Sequence, residues 1–480
     1  MMKKLFAIAL ALLLVFSLAG CGSKNKREIV KLTLSTEDSE AILAAAGITL
    51  PDAETTLATG STVKYFCWYD NFHNYDEAEI INTGYWTFTE KYGCEVEWIE
   101  CEWGSRYDEV ANLILGGTPP DFFPSSSDIF PLYCIKGVFQ PVNDYIDYTD
   151  PLWAGMKEYV DTYFTLGDKN WIMACDNSFY SVCLYNRRVL EEWGFDDPAE
   201  LYANDEWTWD EFYEMCLDFS DPDEDRFALD GWAYHTAIAF SSGYNFVEYN
   251  TETGYFESNI DRPELERAAN LLYELTKNDC IYPIWQKGTR GSTEGTGLKE
   301  GQLLFFIRGT SWFTDTVENI SAIYGDISAG EFMFVPLPRD PAGDGKYYIE
   351  ATASGYALIN GAENPEGVAL LASCERFKAI DPTVVSIDRR QLEETYMWSR
   401  EMLEMYDHCV ELANSMGADT IVDYSYGMGD QLYSAVNSLK CQTRSATPQT
   451  WAQGKEKYSD TIDYYLEELN ANIDAFIDSN

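Results

Sequence analysis

The sequence predicts an α/β protein built in two lobes, and three observations carry that prediction. The chain has 480 residues, too many for one compact core. Hydrophobic residues make up 46%, enough for a large buried interior. Strand-like segments alternate with amphipathic helical ones over most of the length, the order expected of a largely parallel sheet covered by helices. No internal repeat is visible, which argues against a solenoid or propeller.

Taken in order, the chain begins with Lys3 and Lys4, an unbroken apolar run over residues 5–16, and the small residues Leu18, Ala19 and Gly20. Residues 1–20 therefore read as a secretory signal peptide, too short for a spanning helix. Its Leu-Ala-Gly-Cys ending resembles the bacterial lipoprotein lipobox, which implies that Cys21 is diacylated after cleavage. That lipid would be the only membrane anchor, because no later stretch is long and apolar enough to span a bilayer. Residues 21–61 are expected to form a weakly ordered tether and a small appendage.

Residues 63–69 are the first strong strand, and an aromatic, polar run from Asp70 to Asn74 leaves its carboxyl end. A helix over about 76–92 and a second strand over 94–100 should follow. The next unit, residues 107–128, is the clearest of all. Tyr107, Val110, Leu113 and Ile114 form a helical stripe, and Gly116-Gly117 stop it through the left-handed cap open to glycine. Pro119-Pro120 bar its resumption, and residues 121–123 form a short buried strand ending at Pro124. A loop of three serines and Asp128 then sits at the strand's carboxyl end, where ligands of open α/β sheets bind.

Residues 137–146 are expected to turn into a short capped helix. Two extended segments, 171–175 and 181–186, flank residues 176–180. A helix over 187–193 stops at Gly194, and Thr208 with Glu211 three residues later has capping-box spacing. Pro263 opens a helix to 277, a Gly/Thr-rich loop covers 288–297, and strands are expected at 303–307, 332–337 and 353–359. Asn364-Pro365-Glu366 opens a helix to about 377, and the last 80 residues read as mostly helical.

Composition excludes several functions. With 80 acidic against 33 basic residues the net charge is −47, which rules against nucleic acid and anionic lipid surfaces. The three histidines lie in no zinc motif, and there is no nucleophile elbow, Walker loop or dinucleotide fingerprint. Residues 221–225 begin like a calcium loop, but Arg226 stands where glycine is needed and Trp232 where a bidentate Glu belongs. No metal or cofactor is expected. Apart from Cys21 the cysteines are odd in number and scattered through apolar segments, so most read as buried small hydrophobes. Aromatics are 15%, and aromatic-plus-polar groups at strand ends suit sugars, whose CH faces pack on rings while hydroxyls pair with side chains.

Several stretches resemble, in order and roughly in spacing, the extracellular solute-binding proteins of bacterial ABC importers, in the group that includes maltose- and oligosaccharide-binding proteins. Gly117-Thr118-Pro119-Pro120-Asp121 is similar to that family's G-T-x-P-D turn, residues 137–146 to its G-x-L-x-P-L-D-D-Y-I, and residues 184–190 to its Y-Y-N-K-D-L-F. Trp207-Thr208-Trp209-Asp210-Glu211-Phe212, the 305–312 stretch ending in Trp312, and 354–358 with Asn364-Pro365-Glu366 complete the set, which covers about residues 62–480. The resemblance implies a type II periplasmic-binding-protein-like fold with a ligand cleft between two lobes. One lobe would take 62–178 and 353–425, the other 179–352 and 426–480. It further implies a monomer that binds a carbohydrate, closes about a hinge and delivers the ligand to the ABC permease, with no catalysis. The positions carried over are Trp68, Asp70 and Asn71; Ser125, Ser126 and Asp128; Asp176, Asn177 and Phe179; Trp312; and Glu350 with Ser354. A non-sugar solute such as a peptide or polyol stays open as the alternative, with a surface glycosidase more distant.

Overall fold

The computed structural model describes residues 36–73, 83–125, 127–231, 233–288, 297–309, 313–314, 317–415 and 419–479. Cys21, Ser126, Trp312, most of the expected 288–297 loop and the first part of the expected 76–92 helix lie outside them.

The first sheet is built on β1 (Thr62–Cys67). Its hydrophobic residues bury both faces, as a central parallel strand requires. The helix α1 (Thr83–Glu90) leads to β2 (Glu95–Glu100), which runs parallel to β1 in full register. The helix α2 (Arg106–Leu115) then delivers β3 (Phe122–Pro124), parallel to β1 on its other side. Of the two glycines between them only Gly117 takes the left-handed conformation, at φ +74°; Gly116 is still right-handed as the helix cap. Asp121 joins this unit to the rest. Its carboxylate accepts from the Lys64 and Asn364 amides, at 2.8 and 2.9 Å.

Residues 137–146 do not form the expected helix. Phe139–Gln140 is a two-residue strand, after which the Val142 amide donates to Asn170 and the chain makes a single turn. The long strand β4 (Met173–Phe179) absorbs residues that looked like a connection, and β5 (Val182–Asn186) continues it into the second lobe. There the Asn186 side chain caps α3 (Arg187–Trp193), and Thr208 caps α4 (Trp209–Phe219) by accepting from the Glu211 amide. The strand β6 (Phe227–Gly231), α5 (Tyr234–Phe240), the hairpin β7 (Val247–Asn250) and β8 (Tyr255–Ser258), and α6 (Pro263–Lys277) follow. The strands β9 (Leu303–Arg308) and β10 (Phe332–Val335) complete a second sheet in the order β10-β5-β9-β6.

The return crossing is β11 (Ile349–Ile359), antiparallel to β4 and β3. A register shift between Ser354 and Gly355 marks the point where it passes β4. Gly355 has φ +154°, and a Cβ there would stand 2.0 Å from the Met173 carbonyl oxygen, so only glycine fits the crossing. The helices α7 (Pro365–Ile380) and α8 (Arg400–Ala413) precede β12 (Thr420–Ile421), a third crossing parallel to the start of β11. The chain ends in α9 (Asp430–Lys440) and α10 (Trp451–Ser479).

Two hydrophobic cores result, one around β1, β3 and β11 and one around β5, β6, β9 and β10. The C-terminal helices pack on the first core. Asn470 in α10 bonds both ways to the Phe256 backbone, while Phe476 packs 5.7 Å from the Trp171 ring. Phe130, just after the serine loop, meets Tyr249 and Phe256 of the hairpin. Residues 48–61 are held on the first lobe, where Tyr92 donates to the Pro51 carbonyl and Cys94 to that of Ala58. The described cysteines are free thiols, buried apart from the half-buried Cys441.

Candidate functional site

The carboxyl ends of β1, β2 and β3 share one edge of the first sheet because the three strands are parallel. Trp68 leaves β1 there, and Trp103 follows β2. Their rings meet edge-to-face with centroids 4.4 Å apart, and Tyr69 adds a third ring 5.3 Å from Trp68. Trp103 is 44% exposed and Tyr69 46%, so the group presents aromatic faces outward while its base is anchored.

Arg106 is that anchor. Its guanidinium lies 3.7 Å from the Trp103 ring centroid and 4.5 Å from that of Tyr107, with Trp68 at 5.9 Å. Nη1 donates to the Trp103 carbonyl oxygen, and Nη2 donates to Asp128 Oδ2 at 2.6 Å. Both side chains are almost fully buried, at 7% and 4% exposed. The Asp128 carboxylate is thus the counter-ion of the residue under the aromatic wall, and Tyr107 holds the Asp128 carbonyl from below.

The short turn Ser127–Ile129 packs on the turn Ser425–Met428, which begins two residues after Asp423. This links the wall to a second cluster at the crossings. Lys440, at the end of α9, donates to Asp423 at 3.0 Å and lies 5.2 Å from the Phe240 ring. Glu350, in the second position of β11, faces this pair. Burial, with Asp423 repelling it and Lys440 opposing, pushes its carboxyl up to about 8, and its Oε2 is buried with no hydrogen-bond partner among the described residues. His235 of α5 stands close by, its Nε2 3.1 Å from Cys441 Sγ. Burial and the nearby Arg444 and Lys440 cations pull its imidazole down to about 3, so it is neutral. Tyr180, 44% exposed, joins β4 to β5, and its amide donates to the Glu350 carbonyl.

Paired aromatic rings and an anchored cation thus stand at the sheet edge, with hydrogen-bonding groups at the strand crossings; among the described residues no cluster of three metal-ligating side chains occurs. The model of the bacterial extracellular solute-binding proteins matches residues 70–373. The chain belongs to that family. Solved structures agree on the fold. A Listeria monocytogenes ABC substrate-binding protein in complex with cycloalternan is 14% identical, with 85% of this chain and 99% of that one covered at a TM-score of 0.60. The GacH receptor of Streptomyces glaucescens, solved unliganded and with acarbose, is 13% identical over 85% and 98%, also at 0.60. The galacto-N-biose/lacto-N-biose I-binding protein of Bifidobacterium longum, with lacto-N-biose, is 13% identical over 85% and 97%, at 0.58. By sequence alone, no curated protein matches.

In this solute-binding protein Asp128, expected to face the cleft, is instead buried on Arg106, and the other described residues expected from sequence fall into three groups. Trp68 stands in the aromatic wall, and Glu350 at the crossing cluster. Ser125 lies between them in chain order, 8% exposed, its amide donating to the Gly355 carbonyl. A second group is turned to structural work. Asp70 caps its own turn by accepting from the Phe72 and His73 amides, and Asn71 donates back to Tyr65 Oη at 2.8 Å. Asn177 donates to the Ala413 carbonyl, and Phe179 packs on Tyr406 in the second core; both are 2% exposed and offer a ligand almost no surface. Asp176 and Ser354 form the third group, exposed and directly opposite each other where β4 crosses β11.

Sequence reasoning passed over Trp103, Arg106, Tyr69, Lys440 and Asp423. One signal was available. Trp103 follows the carboxyl end of a strand as Trp68 does, so the rule that selected one selects the other. The described helices include none long and apolar enough to cross a membrane.

Proposed function

We propose that this protein is the extracytoplasmic binding component of an ABC importer, tethered by lipid at Cys21, and that its solute is a carbohydrate. The observation that carries the reading is the Trp68–Trp103 pair standing on the Arg106–Asp128 ion pair at the carboxyl edge of the first sheet. A sugar ring stacks its CH face on such a platform, and its hydroxyls find partners at the crossings. The neighbours solved with cycloalternan, acarbose and lacto-N-biose support the same class of ligand. Trp68, Trp103, Tyr69 and Tyr180 would contact the sugar, with Glu350, Ser125, Ser354 and Asp176 as polar partners, while Asp128 acts through Arg106. Ligand would bridge the lobes and favour a closed form that the permease recognises, because a ligand shifts a hinge equilibrium by binding one state better. No catalytic step is assigned.

A polyol is the second reading, favoured by the Agrobacterium vitis solute-binding protein solved with D-mannitol, at a TM-score of 0.52. Calorimetry against mono- and oligosaccharides, polyols and short peptides separates the two. Heat with a sugar is the expected result; heat only with a polyol or peptide would replace the carbohydrate reading, and release of shortened products would make the protein a hydrolase. For the anchor, metabolic labelling with palmitate should mark the intact chain and leave a Cys21→Ala variant unlabelled. Equal labelling of both would remove Cys21 as the lipid site.

A further inference from the structure

We propose that the flank of the second lobe carries a groove for a neutral saccharide chain, a binding place separate from the main site. This rests on the carbohydrate reading above. The groove lies between the end of α6, the start of β6, the segment 281–287 and the connection 445–448, and encloses about 430 Å³. That volume suits one or two sugar rings, since small-ligand sites begin at roughly 300 Å³.

Its lining is aromatic. Trp285 and Tyr273 are half-buried, and Phe227 is buried. The Trp285 indole Nε1 is covered and has no acceptor among the described residues. Three prolines lie in the lining, one of them Pro283 directly before the Ile284–Lys287 turn that presents Trp285. Fixed φ angles on the rim lower the ordering cost of binding.

Charge selects the class of occupant. The chain as a whole carries −47, yet this groove is close to neutral: Lys277 and Lys287 are offset by Asp279 in the lining and by Glu274 and Asp225, to which the two lysines bond. Lys287 also lies 4.8 Å from the Phe227 ring centroid, which keeps its stem against the aromatic floor. Neutral, aromatic and rimmed by hydrogen-bonding tips is the chemistry of a sugar surface, and it fits an anionic polymer or a cationic peptide less well. The connection 445–448 begins next to Arg444, whose cation acts on His235 of the crossing cluster, so groove and main site share one loop.

The test is native electrophoresis of the full chain through gels containing soluble starch, xylan or mixed-linkage β-glucan. At least one polysaccharide should retard the protein, and Tyr273→Ala/Trp285→Ala should weaken that retardation about tenfold. Trp285→Phe, which keeps a ring and guards against misfolding, should retain most of it. Trp68→Ala should leave retardation intact while lowering calorimetric affinity for short sugars, which keeps the groove and the main site apart. No retardation by any of the three polysaccharides overturns the groove, as does equal retardation of the double variant. Loss of retardation in Trp68→Ala alone would place the polysaccharide in the main site and overturn it too.

Discussion

The wall of the first lobe and the cluster at the crossings both bury charged groups but balance them differently. In the wall, one cation meets one anion: Arg106 and Asp128 bond at 2.6 Å with aromatic rings over the guanidinium. At the crossings two carboxyls, Glu350 and Asp423, face Lys440, and Asp423 bonds to it. A closed pair makes a rigid platform whose cost appears only when one partner is removed. A surplus carboxyl is held uncharged by its surroundings, so its behaviour depends on pH. The protein therefore has a fixed surface for stacking beside a titratable one where its lobes join.

The largest effect should come from breaking the pair. Arg106→Ala leaves Asp128 buried without its counter-ion and strips the support from Trp103, a change worth about 3–5 kcal/mol. Thermal melting should fall well below wild type, while the double change Arg106→Leu/Asp128→Leu, which leaves no orphaned charge, should recover much of the loss. A double variant no better than the single one would show that the pair is not what Asp128 is buried for.

The next prediction concerns the crossings. Glu350 keeps its proton in the folded chain up to about pH 8, whereas the unfolded chain releases it near the usual glutamate value of 4.5. Between these values the folded state binds more protons, so stability falls as pH rises, by on the order of 1–3 kcal/mol. His235 acts on the other side. Its folded value of about 3 lies below the ordinary 6.5, so the unfolded state takes up the proton first and stability falls as pH drops below 6.5. Melting curves of Glu350→Gln and wild type should converge near pH 5 and separate toward pH 8, with the variant more stable. Parallel curves across that range would mean that Glu350 ionises as an ordinary surface acid.

Much of the fold was legible from sequence, because strand and helix periods and their stops are local. Gly194, Thr208, Pro263 and Asn364 stand at helix ends as their chemistry requires. The site was less legible, for a physical reason. Arg106 and Asp128 are 22 residues apart, and among 80 acids nothing local marks which carboxylate a given arginine will meet. Asp121 looked like strand but ties β1 to the α7 cap, a link across 243 residues. Phe179 looked like a crossing residue with a surface, but continuous strand geometry through 173–179 turns it into the second core. Local rules found the edge that carries the site, and tertiary contacts decided which side chains on it point outward.

Within the wall itself, Trp68→Ala should lower sugar affinity by up to about tenfold, since lost aromatic stacking is worth roughly 0.5–1.5 kcal/mol beyond area. Trp103→Ala should do the same, with a small stability loss because Trp103 is 44% exposed. Calorimetry reads the affinity; unchanged binding in both variants would move the sugar away from this wall.

The smallest effect separates neighbours in one loop. Asn71 stands three residues after Trp68, and its amide is turned inward to donate to Tyr65 Oη, a residue whose ring is fully buried. Asn71→Ala removes that hydrogen bond and the side-chain bond to Tyr69, so it should cost about 1 kcal/mol of stability, the usual net worth of one such bond. Sugar affinity should stay within about twofold, because the Trp68 and Trp103 rings keep their support from Arg106, a residue Asn71 is not bonded to. A tenfold loss would mean that this amide leaves Tyr65 for the ligand when the lobes close, and the loop after β1 would then belong to the binding surface as a whole rather than through Trp68 alone.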